Sequence, residues 1–133
     1  MIDINNLTKI LIDKKLLTGV AKIVLKGENI EKGEVSIALV TSAEIKKINQ
    51  KYRKKNKATD VLSFNLGKGF GEIVICPSQV KRNAKKYKTS FKKELAKVLI
   101  HGILHILGYN HGKSKKEAIE MEKKQERYLS HFF

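Results

Sequence analysis

Hydrophobic positions along the chain recur with two periods, and the switches between them lay out nine elements. Residues 2–5 alternate weakly and predict a short strand. Leu7, Ile10, Leu11, Leu16, Leu17, Val20, Ala21 and Val24 fall near 3.6-residue spacing and predict a helix over 7–26, with Thr8 as its cap. Gly27 and Gly33 flank a turn, and the β-branched run 34–40 predicts a strand. Thr41 and Glu44 have the spacing of a capping box and open a helix to about Tyr52, with Ile45, Ile48 and Tyr52 on its inner face. A polar basic loop covers 53–60, and 61–64 and 72–76 predict two strands joined through the glycine-rich stretch 65–71 as a hairpin. Pro77 stops the second strand, and Ser78 is placed to cap a helix to about Tyr87. Ser90 caps a helix over 91–107 that Gly108 ends. A last amphipathic helix over 114–130 carries Ala118, Met121, Gln125 and Leu129 on one face. The order β-α-β-α-β-β-α-α-α predicts an α/β (α+β) fold: one small mixed sheet of about four strands with helices packed on it.

Composition narrows the class. The 133 residues fit one domain, 1–133, large enough to bury a core. Twenty-eight basic against 13 acidic residues leave a net charge of +15, which points to a polyanionic partner such as nucleic acid. A lone cysteine, Cys76, excludes a disulfide scaffold and reads as a small buried hydrophobe. The longest run without Asp, Glu, Lys or Arg, 98–112, contains three histidines and is too short and polar to span a bilayer. The first residues carry charges and no apolar core of a signal peptide. The expectation is a soluble, cytoplasmic protein with no membrane partner.

The densest chemistry lies in 101–111, His-Gly-Ile-Leu-His-Ile-Leu-Gly-Tyr-Asn-His. On a helix, His101 and His105 stand about 40° apart in azimuth and about 6 Å along the axis, so both imidazoles can meet one ion. Gly108 can take a positive φ and turn the chain so that His111 returns to the same point. Three imidazoles leave a fourth position for water, the catalytic zinc pattern, although imidazole also suits nickel, copper or iron. Zinc, one per chain, is the expectation. The alternative, satisfied core histidines, would leave two imidazoles needing partners on an almost wholly apolar helix. The spacing also matches the metzincin peptidases, but these place a glutamate directly after the first histidine, where this chain has Gly102. His131, beside two terminal phenylalanines, reads as surface.

The histidine block resembles the signature of the YbeY family of bacterial endoribonucleases and rRNA maturation factors. Two further blocks agree in order and spacing: 49–53 followed by 58–64 (Ala-Thr-Asp-Val-Leu-Ser-Phe), and 71–76 (Gly-Glu-Ile-Val-Ile-Cys). The resemblance implies a single-strand-specific, metal-dependent endoribonuclease acting in 16S rRNA 3′-end maturation and ribosome quality control. It implies zinc on His101, His105 and His111, and a functional arginine at Arg53. Implied partners are rRNA and the ribosome or its small-subunit proteins, with no nicotinamide or flavin cofactor. Asn110, Glu72 and Asn65 stand where the family usually has Asp, Asp and Pro; Asn110 weakens a carboxylate contact that would orient a ligand.

Arg53 and His111 are the candidate catalytic residues, Arg53 as a bidentate phosphate clamp. Thr59, Asp60, Ser63, Glu72 and Asn110 are candidates for holding ligands or touching substrate; Thr59 and Asp60 equally fit a turn cap. Seven cations without an acid fill 46–57, and a second basic run covers 81–97, opposed only by Glu94. Together they fit a groove that tracks an RNA backbone. The charges of 113–127 are balanced and read as a solvated face. Tyr52, Phe64, Phe70 and Tyr87 form no clear base-reading set, so site choice is expected to come from the ribosome. A second class remains: a non-catalytic rRNA- or ribosome-binding factor whose metal only holds the fold.

Overall fold

The computed structural model describes residues 1–133 apart from Glu31, Lys68, His111 and Lys113. The elements run β1 (Ile2–Asn6), α1 (Lys14–Gly27), β2 (Glu34–Leu39), α2 (Ser42–Arg53), β3 (Val61–Gly67), β4 (Phe70–Ile75), α3 (Pro77–Lys86), α4 (Phe91–Ile106) and α5 (Lys115–Ser130). The order is the expected β-α-β-α-β-β-α-α-α.

The four strands form one mixed sheet in the order β1-β2-β4-β3. β1, β2 and β4 are parallel, and β3 pairs antiparallel with β4 as an edge strand. Side chains alternate across the sheet, so its two faces build two apolar clusters. Val35, Ile37, Leu39, Ile73 and Ile75 join Leu17, Val24, Leu99, Ile103 and Met121 in the larger one, under α1, α4 and α5. Leu62, Val74 and Cys76 join Val40 and Ile45 in the smaller one, under α2.

Helix α4 is the centre of the larger layer. Ten of its residues are buried, which is why its sequence is apolar nearly all round. Two glycines let it lie close to β4. A Cβ on Gly71 would overlap Ile106, and one on Gly102 would meet Ile73 Cγ2 at 3.2 Å. Gly102 therefore faces the sheet, with no room for the glutamate a metzincin carries there.

Four features differ from the sequence expectation. Helix α1 starts at Lys14, capped by Asp13 through Leu16 N, and Thr8 is not its cap. Instead Asn6 and Thr8 tie the segment into a tight turn: Thr8 N and Oγ1 donate to Asn6 Oδ1 (3.0 and 2.7 Å), and Asn6 Nδ2 donates to the Ile10 carbonyl (2.8 Å). Local side-chain bonds of this kind compete with helix. Ser78 does not cap α3; the cap position is Cys76, with Pro77 in the first turn, where a missing N–H costs nothing. The glycine-rich stretch is mostly strand, with a bulge between Asn65 and Gly67. Tyr52 is exposed and packs edge-on to Phe64, 5.5 Å between centroids.

Candidate active site

Ser90 starts α4 by accepting from Lys93 N (3.1 Å). Its periodicity then places Glu94, Val98, His101 and His105 on one stripe, at steps of four, three and four residues. The stripe faces α5 and the start of β3. His105 Nε2 and His101 Nε2 lie 3.0 Å apart, and the rings meet edge to face with centroids 4.6 Å apart. The far nitrogen of His101, Nδ1, pairs with Gln125 Oε1 of α5 at 2.9 Å. Gln125 is a buried polar residue, and its acceptor favours the tautomer with the proton on Nδ1 and a lone pair on Nε2.

That pair fits a zinc ion. Two nitrogens at about 2.0–2.1 Å from one tetrahedral centre stand roughly 3.3 Å apart, close to the spacing found. Among the described residues no group of three or more His, Cys, Asp or Glu is gathered for a metal; His111 lies outside the described residues. The turn towards it begins as expected, with α4 ending at Ile106 and Gly108 at φ 101°.

A second anchor holds this turn. Tyr109 Oη donates to Glu28 Oε1 (2.6 Å), Tyr128 Oη donates to Glu28 Oε2, and Lys124 Nζ donates to both oxygens at 3.1 and 3.0 Å. One carboxylate thus ties the end of α1 and the turn after α4 to α5. Burial pushes the Glu28 carboxyl up, but the two phenols and the ammonium outweigh it and hold it below its ordinary 4.5. Burial and the carboxylate raise both tyrosines.

Arg53 closes α2 and reaches the free edge of β3, where Nη2 donates to the Ser63 carbonyl (3.0 Å) and the guanidinium lies 5.8 Å from the Phe64 ring centroid. Arg53 and the histidine stripe therefore meet the same edge strand. Thr59 Oγ1 donates to Asp60 Oδ1 (3.4 Å), and Asn83 Nδ2 of α3 donates to Asp60 Oδ2 (3.3 Å). Asp60 and His101 line one hollow. Ser63 pairs with Ile73, which faces α4, so its side chain takes the histidine side of the sheet. Glu72 pairs with Phe64 on the opposite face, exposed in a hollow shared with Asp3 and Glu34. Asn110 is exposed, and its Oδ1 accepts from Gly112 N (2.8 Å). Three groups escaped the sequence reading as site residues: Gln125, Glu28 and Glu94. Gln125 left a trace there as a polar residue on the inner face of the last helix, and Glu94 as the one acid in a basic run. Burial pushes its carboxyl above 4.5, with Lys97 opposing and Asp60 adding.

Comparison with known proteins gives a consistent answer. The family model described as Endoribonuclease YbeY matches residues 3–133. A protein of Thermotoga petrophila named Endoribonuclease YbeY is 44% identical over 97 residues, 71% of this chain. One of Persephonella marina with the same name is 38% identical over 115 residues, 80% of this chain and 75% of its own. The chain spans 65% of the length of the Thermotoga petrophila relative. A solution structure of a Thermotoga maritima protein superposes with a TM-score of 0.71 at 38% identity, covering 97% of this chain and 87% of that one.

Proposed function

The chain belongs to the YbeY endoribonuclease family, and from that premise we propose that residues 1–133 form a single metal-dependent endoribonuclease domain that cuts single-stranded RNA. The observation that carries it is the His101–His105 pair, two Nε2 atoms 3.0 Å apart with Gln125 fixing one ring from behind. His101 and His105 would hold a zinc ion, with His111 as the third ligand that the sequence offers. When bound, the ion would supply a Lewis acid for a phosphoryl oxygen and lower the pKa of a bound water.

The chain's own residues do the rest. Arg53 spends one N–H on the Ser63 carbonyl. That bond aims the guanidinium along the edge of β3, and the remaining donors of its fork suit two phosphate oxygens. The basic runs on α2 and around α3 neutralise neighbouring phosphates. The substrate we assign is rRNA, with 16S 3′-end maturation and ribosome quality control as the setting, the cytoplasm as the compartment, and the ribosome or its small-subunit proteins as partner. No helix among the described residues is long and apolar enough to cross a membrane.

Metal content by plasma mass spectrometry, paired with RNase assays before and after chelation, tests the reading. Near one equivalent of zinc, with cleavage lost on chelation and restored by metal, is expected. Stoichiometric metal without metal-dependent cleavage would favour a binding factor, and no bound metal would end the mechanism.

A further inference from the structure

We propose that the hollow beside His101 is a nucleobase subsite that takes a guanine adjacent to the scissile phosphate. This rests on the endoribonuclease reading and adds the base that the site selects. The hollow, about 250 Å³, lies between the start of β3 and helices α3, α4 and α5. Asp60, Asn83, Tyr87, Glu94, Lys97 and Gln125 line it, together with His101 itself.

Glu94 is the first reason to assign it a ligand. The residue is 4% exposed, yet no hydrogen bond or ion pair within reach of its carboxyl is found among the described residues. Among the described residues no fully enclosed side-chain oxygen is left without a partner, so the Glu94 oxygens open onto the hollow. Keeping a carboxyl buried and unpaired is costly unless something else completes it. Asp60 supplies the second acceptor. Its position is fixed by the bond from Asn83, and a carboxylate has lone pairs to spare beyond that bond.

The surroundings choose between a base and a phosphate. Outside the hollow the surface is cationic: Lys81, Arg82, Lys85, Lys86 and Lys88 are all exposed. A phosphate backbone is held there. Inside, two carboxyls repel phosphate and accept N–H donors. At the rim the exposed Tyr87 ring lies 5.6 Å from Lys86 Nζ and 6.0 Å from Lys97 Nζ, a shelf on which a base can stack. The sequence suggested no base-reading aromatic; the fold places one at this mouth.

The donor pattern selects the base. Guanine presents N1–H and N2–H side by side to a carboxylate, and O6 to an ammonium such as that of Lys97. Uracil would turn carbonyl oxygens towards the carboxyls. A site built to hydrogen-bond an amine discriminates strongly against a ligand that lacks it. Because His101 belongs both to this hollow and to the imidazole pair, the base in it belongs to a nucleotide flanking the cleaved bond.

The test is fluorescence anisotropy with single-stranded pentaribonucleotides, all uridine or with one central guanosine, inosine or adenosine, their integrity checked afterwards. At least tenfold tighter binding of the guanosine oligomer is expected, with most of the gain lost for inosine, which lacks the N2 amine. Glu94→Gln, Asp60→Asn and Tyr87→Ala should each shrink the guanosine-to-uridine ratio to about twofold; Tyr87 is exposed, so its variant folds whatever the other two do. Equal affinities for all oligomers, or a guanosine preference untouched in the Tyr87 and Glu94 variants, would overturn the subsite. Metal-dependent cleavage without guanosine preference would overturn the subsite and leave the nuclease reading standing. Guanosine-selective binding without cleavage would do the reverse.

Discussion

The Arg53 side chain is exposed, is held by a hydrogen bond to the Ser63 carbonyl, and meets the smaller apolar cluster only at its rim, where the guanidinium lies over Phe64. Its removal should therefore change chemistry and spare stability. Arg53→Ala is expected to lower kcat about 10²–10³-fold, the usual loss of a positioned transition-state donor, with Tm and zinc content unchanged. Arg53→Lys keeps the charge but not the fork, and rescue by lysine would show that only charge matters. Gln125 acts through a different atom. It accepts from His101 Nδ1, so Gln125→Ala should weaken zinc affinity roughly 10–100-fold, read by competition with a chelating dye, with Gln125→Glu recovering it. Glu94 carries a cost in the free protein. Its folded carboxyl titrates above 4.5 because burial disfavours the charge. The stability it contributes is present at low pH and lost as pH rises through the folded value. Glu94→Gln should therefore raise Tm at pH 7 by a few degrees, with the gain vanishing near pH 4 in parallel melts.

Whole elements depend on how a few side chains join them. Glu28 is where α1, the turn after α4 and α5 meet, and Gly27 makes that possible, since a Cβ there would overlap the Tyr128 ring. Glu28→Gln leaves a lysine and two phenols with a neutral acceptor and should cost about 2–4 kcal/mol at pH 7. The Glu28 carboxyl is depressed below 4.5, so its contribution holds above that value and fades as pH falls through the folded pKa. In urea melts the gap between wild type and variant should close in acid. If His111 is the third ligand, as proposed, zinc affinity should fall with stability, since the turn precedes that residue in the chain. None of this network is legible in the sequence, because residues 28, 109, 124 and 128 share no period. What is legible is local. Helix α4 and the His101–His105 spacing follow from one amphipathic repeat, and β2 and β4 follow from β-branched runs. The start of α1 does not: Leu7 and Leu11 have helical spacing but are 60% and 93% exposed, and hydrogen bonds of Asn6 and Thr8 override the pattern. The hairpin turn is shorter than its glycines suggest, because Gly67 and Gly69, with φ of 139° and 70°, accommodate the bulge and turn while the strands continue.

At the scale of the molecule, the sheet determines what the charge can do. Helix α2 lies on one face and α3 and α4 on the other, so the two basic runs approach the edge strand β3 from opposite sides, with Arg53 and the histidine pair between them. A net charge of +15 spread evenly would bind any polyanion weakly everywhere. Bracketing one strand edge instead would define a track for a single strand, with its backbone passing the guanidinium and, on the proposal above, its bases turned towards Tyr87. If such a track neutralises about five phosphates, log K against log salt should fall with a slope of about −3.5, roughly a hundredfold in affinity between 50 and 200 mM salt. Lys81→Glu with Lys85→Glu, both exposed on α3, should flatten that slope by about 1.4, the two phosphate contacts removed, while Tm stays put. The same pair of changes on α5, whose cations are balanced by Glu117, Glu120, Glu122 and Glu126, should leave the slope unaltered. An equal loss from both helices, measured by salt titration of the same oligonucleotide, would mean that net charge rather than a track holds the RNA.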